Sequence, residues 1–192
     1  MHLGRAAIRG VVGPLFIGHG TQKLFGWFGG HGVEGTGGAF ESMGLKPGRR
    51  HAIAAGASEA VGGALVATGA LTPVGAAMIT GTMVTAIRKM HGSNGPWVTE
   101  GGWEYPAVLI GAMVAIAEEG PGSPSVDAKW LPGFKGTGWA LLALAAGVAG
   151  SYLATSKPLN EAAGADSDDT ADAVGDPAAA SNGHREPELA SA

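Results

Sequence analysis

Cysteine is absent from the 192-residue chain. Disulfides, thiolate metal centres and cysteine-based redox chemistry within the chain are therefore excluded. Charge is missing over long stretches. Glu59 to Arg88 encloses 28 residues without a charged side chain, and Lys135 to Lys157 encloses 21. Arg9 to Lys23 and Glu104 to Glu118 each enclose 13. Familiar catalytic patterns are missing too. The six histidines form no H-E-x-x-H pair, and there is no serine nucleophile elbow or phosphate-binding loop. Gly30, Gly32 and Gly35 fit G-x-G-x-x-G, but no strand precedes them, so no nucleotide site is expected. His19, Glu59 and His91 fall on three different helices and do not read as a metal set. The basic residues are few and interfacial, which argues against nucleic acid as a partner.

Glycine is abundant instead, at 35 residues, beside 45% apolar residues. Glycine weakens helices in water, but in lipid it lets helix backbones approach closely. The excess fits a membrane bundle. The net charge of −4 averages two different materials. From Pro158 onward there are eight acids and one base, Arg185; before it, 11 bases face 8 acids, a net of +3. The body is apolar and mildly basic. The tail, residues 158–192, has almost nothing to bury and reads as a disordered acidic segment.

A membrane-spanning helix needs roughly 20 mostly apolar residues. The segment at about 134–155 meets that need alone. The 28-residue uncharged stretch breaks naturally at Leu71-Thr72-Pro73, because proline suits a helix start and not its interior. This predicts helices at about 51–71 and 73–90. Two more are expected at about 3–27 and 105–117, with Pro106 in the first turn of the latter. A cleaved signal peptide is the rival for the first 27 residues. His19, Lys23 and Phe25 follow where a small-residue cleavage site would stand, so a membrane helix is the preferred reading. Small residues at a spacing of four suggest helix contacts: Ala143, Gly147 and Ser151; Gly111 and Ala115; Ala77 and Gly81.

If the helices alternate in direction, the polar residues gather at one membrane face. The first helix ends with His19, Gln22 and Lys23. The second begins with Arg49, Arg50 and His51 and carries Glu59. The third ends with Arg88, Lys89 and His91, and the fourth follows Glu100 and Glu104. His19 lies eight residues before Trp27, and Glu59 eight after His51. Both are thus about 12 Å in from that face and able to meet. A carboxylate at that depth is costly unless it faces the bundle interior with a partner. Two readings of Glu59 stand: a proton or quinone-headgroup partner, or a structural tie to Lys23, Arg88 or a backbone group. His19 reads either as a proton shuttle or as an interhelical hydrogen bond. Trp27, Trp97, Trp103 and Tyr105 suit an aromatic belt. Counting bases at the two ends favours a cytoplasmic polar face, although Arg5 and Arg9 argue the other way.

Pro14-Leu15-Phe16-Ile17-Gly18-His19-Gly20-Thr21-Gln22-Lys23-Leu24-Phe25-Gly26-Trp27 resembles the first-helix signature of the DoxX family. Gly35-Thr36 leading to Phe40-Glu41-Ser42-Met43-Gly44-Leu45 is similar to the loop that follows it. Glu59-Ala60-Val61-Gly62-Gly63 with Leu65 and Gly69 resembles its second helix. Trp97, Thr99, Gly101-Gly102 and Glu104-Tyr105-Pro106 resemble the approach to its fourth, and Gly120-Pro121-Gly122 with Ser125-Val126-Asp127 its close. The resemblance implies an all-α, polytopic four-helix membrane bundle over residues 1–128. To this the chain adds a fifth transmembrane helix within 129–157 and the acidic tail.

The resemblance also implies quinone-linked oxidoreduction, with other membrane or redox proteins and membrane lipid as partners, in a bacterial plasma membrane crossed several times. His19 and Glu59 are the expected proton partners. Gln22, Lys23, Arg88 and Glu104 are expected near a quinone, the one cofactor expected; no metal or nucleotide is. The alternative is a non-catalytic scaffold or assembly subunit of a larger membrane complex. Whether the chain is itself an enzyme is left open.

Overall fold

Gly69 ends one helix and Pro73 starts the next, so the long uncharged stretch folds as a hairpin. Gly69 takes a left-handed conformation (φ 62°), and its N–H bonds to the Val66 carbonyl at 3.2 Å. Leu71 is also left-handed, at φ 46°, a conformation that costs an L-residue about 1 kcal/mol. A distant carboxylate holds it there. Asp127 accepts the Leu71 N–H through Oδ1 at 2.8 Å, and through Oδ2 the Thr72 N–H at 2.8 Å and the Thr72 hydroxyl at 2.7 Å. Asp127 is only 2% exposed, so it caps the helix that Pro73 opens from within the protein.

The computed structural model describes residues 3–156. The expected acidic tail lies outside the described residues. Among them the fold is all-helical, with no strand. The helices are α1 (Leu3–Phe25), α2 (Gly32–Ser42), α3 (Gly48–Thr68), α4 (Thr72–Ala86), α5 (Glu104–Glu119), α6 (Val126–Trp130) and α7 (Thr137–Ala154). A widened π turn, Ile87–His91, continues α4. Five long helices fall where five were expected, each shifted by a few residues. The stretch expected to be a loop differs: residues 32–42 form α2. Four glycines make this helix weak by itself. It is held by packing on α3, where a Cβ on the buried Gly37 would stand 3.1 Å from the Arg49 nitrogen.

α3 and α4 form the centre. α1 packs on α3, α7 on α4, and α5 against both α4 and α7, while α2 lies on α3. Ile79, Met113, Ile116 and Val66 are buried in the core, together with Ala140 and Ala143 of α7. The fifth long helix is thus part of the bundle rather than an appendage to it. Its buried stripe is Ala140, Ala143, Gly147 and Ser151, as the spacing of small residues predicts. Gly147 meets α4 at Ala77, Thr80 and Gly81. The corresponding expectation for α5 is corrected. Gly111 and Ala115 are exposed, and a Cβ on Gly111 would meet nothing within 4 Å. α5 instead buries the larger Leu109, Met113 and Ile116.

Only α7, among the described residues, is both long and apolar enough to cross a membrane by composition. The reason is specific to each helix. α5 has 16 residues, short of the roughly 20 that a span requires, and α4 has 15 before its π turn, which brings in Arg88 and Lys89. α1 and α3 are long enough but carry Arg5, Arg9 and Lys23, and Arg49, Arg50 and Glu59.

Glycines set the α1–α3 distance. A Cβ on Gly13 would stand 2.6 Å from the Ala67 Cβ, one on Gly20 2.5 Å from the Ala60 nitrogen, and one on Gly63 2.6 Å from the Gly13 carbonyl oxygen. We expect Gly63→Leu to lower folded yield and the melting temperature in detergent, with an overpacking cost of about 3 kcal/mol. Gly111→Leu, which enters open space, should leave both unchanged. Asp127→Ala strands three donors and should cost about 3 kcal/mol in the same melting assay.

Candidate functional site

Because the α1 and α3 backbones touch, their polar residues near one end are brought within bonding distance. Lys23 donates to Glu59 Oε2 at 2.6 Å. Glu59 is 5% exposed, whereas the Lys23 side chain keeps 24% of its surface open. Burial of the carboxylate demands a partner, and the ammonium one helix away supplies it. His19 stands one turn before Lys23 on α1. Its Nδ1 lies 3.1 Å from Gln22 Oε1, and its ring meets Phe16 edge-on at 6.3 Å.

These residues stand on the wall of a cavity of about 790 Å³ bounded by α1, α2, α3, α4, α5 and α7. His19, Lys23 and Glu59 all line it. Most of the wall is aliphatic, with four methionines, Met43, Met78, Met83 and Met90. Val11 and Leu15 line the cavity yet are 59% and 51% exposed, so it opens sideways along α1. Methionine suits a wall that must adapt to an apolar guest.

The other expected site residues lie apart from this pair. Gln22 does not line the cavity; it supports His19 and donates through Nε2 to the Phe28 carbonyl at 3.3 Å. Arg88 turns toward α7. It donates to Ser151 Oγ at 3.2 Å and Thr155 Oγ1 at 3.1 Å, and its guanidinium sits 3.6 Å over the Tyr152 ring. Glu104 folds back on its own approach segment, where Oε1 accepts the Val98 N–H at 2.6 Å. Of the two structural ties considered for Glu59 through a basic side chain, the structure makes the one to Lys23.

Three basic residues not singled out for the site also line the cavity: His51, Lys89 and His91. Lys89 and His91 ride on the π turn, a feature that recurs at functional sites. His91 Nδ1 lies 2.7 Å from the Gly101 carbonyl oxygen, which pins the turn to the segment leading into α5. The clustering of bases and histidines at that helix end was visible in the sequence. Their direction was not, because it depends on the extra residue that the π turn accommodates.

The DoxX family profile matches residues 4–92, from the start of α1 to the end of the π turn. The chain carries a DoxX-family membrane domain. The DoxX match takes in His19, Lys23, Glu59 and His91. Helices α5 to α7 lie beyond the matched residues and complete the bundle and its cavity. No curated protein and no solved structure matches the chain.

The Lys23–Glu59 pair should behave as one unit. Lys23→Met leaves a buried carboxylate unpaired and should cost about 2 kcal/mol of stability, discounted for the partial exposure of the lysine. The double variant Lys23→Met/Glu59→Met should recover most of that loss, measured as a melting-temperature cycle in detergent.

Proposed function

We propose that this protein is a multi-pass subunit of a bacterial plasma membrane that binds a quinone headgroup beside His19 and the Lys23–Glu59 pair. In this reading it serves quinone-linked oxidoreduction together with a partner redox protein. The cavity carries the proposal. It is apolar over most of its wall, opens sideways along α1, and carries His19 and the Lys23–Glu59 pair on that wall. A quinone has matching parts: an isoprenoid tail that prefers hydrocarbon and a ring whose oxygens need hydrogen-bond and proton partners. Lys23 can donate to a ring oxygen, and His19 can exchange a proton with it.

The multi-pass placement rests on the outward faces of the helices. Val11 and Leu15 on α1, Val61 on α3, Val74 on α4, Val108 on α5 and Leu141 on α7 are all exposed. A bundle with apolar residues outside and its buried charges paired suits lipid better than water. Exposed Trp27, Trp97 and Trp103 lie toward the polar end, where an interfacial belt would place them.

A second reading, a non-catalytic scaffold, has one observation in its favour. No buried side-chain nitrogen or oxygen among the described residues lacks a partner, so the Lys23–Glu59 pair is complete as a structural tie.

Purification from native membranes in mild detergent, followed by mass spectrometry of retained small molecules, separates the two readings. We expect about one quinone per chain, reduced at least tenfold in Glu59→Gln and His19→Ala at normal folded yield. No quinone on the unaltered protein, or unchanged retention in both variants, would sink the quinone reading. Collapse of folded yield in Glu59→Gln would favour the scaffold.

A further inference from the structure

Three histidines line the cavity, and two of them, His19 and His91, have Nδ1 committed to an oxygen that can only accept. His91 Nδ1 lies 2.7 Å from the Gly101 carbonyl oxygen. A carbonyl has no proton to give, so Nδ1 carries one and donates it. His19 Nδ1 lies 3.1 Å from Gln22 Oε1. An amide can be turned either way, but this one has a second partner that decides. The nitrogen end of Gln22 faces the Phe28 carbonyl at 3.3 Å, which requires a donor. The oxygen end must then face His19, and His19 Nδ1 must donate.

The Gln22 side chain is held in place. A Cβ on Gly30 would stand 2.6 Å from the Gln22 Cβ, so only glycine lets the chain fold back against it. The Phe28 carbonyl is held too, by a backbone turn in which Phe28 is left-handed (φ 52°) and Gly30 donates to the Trp27 carbonyl at 2.9 Å. In a neutral imidazole, a proton on Nδ1 leaves a lone pair on Nε2. No hydrogen bond to Nε2 of either ring is formed by the described residues.

We infer that His19 and His91 present Nε2 to the cavity as hydrogen-bond acceptors, that Gln22 is the positioning residue that sets this state at His19, and that the cavity therefore selects a ring bearing hydroxyl groups over the same ring bearing only carbonyls. The inference rests on the quinone reading of the cavity and narrows it to the hydroquinone form. A hydroquinone offers two O–H donors, and a quinone offers none. Lys23 does not reverse the preference: its ammonium keeps donors beside the one given to Glu59, but a hydroxyl oxygen accepts from them as a carbonyl does.

The test is nitrogen NMR of the histidine-labelled protein in detergent, with the two rings assigned through His19→Gln and His91→Gln. At about pH 8.5, some two units above the ordinary histidine pKa, both rings should carry the proton on Nδ1. Gln22→Leu should move His19 toward the Nε2-protonated form and leave His91 unchanged. In the same preparations, binding of a short-chain benzoquinone and of its hydroquinone is measured without oxygen. The unaltered protein should prefer the hydroquinone by about tenfold, and Gln22→Leu should reduce that preference about threefold, the scale of one hydrogen bond. An Nε2-protonated His19 in the unaltered protein overturns the inference. So does equal binding of both rings, or a preference that Gln22→Leu leaves intact; each of these spares the quinone reading itself. Binding of neither ring removes the quinone reading and the selectivity together, while the ring protonation still reports separately on Gln22.

Discussion

The contact of two helix backbones, α1 against α3, is the constraint on which the rest of the structure depends. Gly13 and Gly20 on one helix and Gly56 and Gly63 on the other stand where a methyl group would strike the partner. In lipid no hydrophobic gain drives helices together, so close van der Waals contact has to do it. That approach has a direct chemical consequence. It leaves Lys23 of α1 within 2.6 Å of Glu59 of α3, so a carboxylate that would be intolerable alone is buried as a pair. The same use of small residues recurs between α3 and α4 at Gly62 and Gly75, and between α4 and α7 at Gly81 and Gly147.

The two ends of the bundle are built differently. At the end holding the α3–α4 turn, polar groups are tied to backbone. Arg9 donates to the Ala67, Pro121 and Pro124 carbonyls, and Asp127 closes the start of α4. The exposed carbonyls at a helix end need such donors. At the other end Gln22 and Glu104 also bond to backbone, but His19, Lys23 and Glu59 line a cavity of about 790 Å³ between the helices. One end holds the helices in register, and the other opens into the cavity. The quinone proposal follows from that asymmetry more than from any single residue.

Much of the fold was legible in the sequence because it rests on local rules. Pro73 and Gly69 marked the hairpin, and runs without charge marked α7. Helix α2 was not legible, since a glycine-rich segment gains its order only from packing on α3. The stripes of small residues were half informative. Ala143, Gly147 and Ser151 do face a neighbour, while Gly111 and Ala115 face outward. Spacing tells which residues share a side of a helix, and it does not tell which side meets protein. The site was legible where depth decided it. His19 and Glu59 were placed at one level by counting residues, and both reach the cavity. Arg88 and Glu104 were grouped with them by topology, but each found a nearer partner, on α7 and on the 98–100 turn respectively.

The sequence by itself determined the material and its punctuation: an apolar, glycine-rich, cysteine-free chain broken into five long helices, with polar residues at alternate ends and one acid deep in the second long helix. These depend on composition and on distances along the chain. Only the tertiary structure decided that Glu59 pairs with Lys23 rather than Arg88, that α7 joins the bundle and walls its cavity, and that Gln22 serves His19 while holding the Phe28 turn. Each of those outcomes is a competition among several polar partners within reach. Such competitions are settled by the approach of backbones to within a few ångströms, which no spacing along the chain encodes.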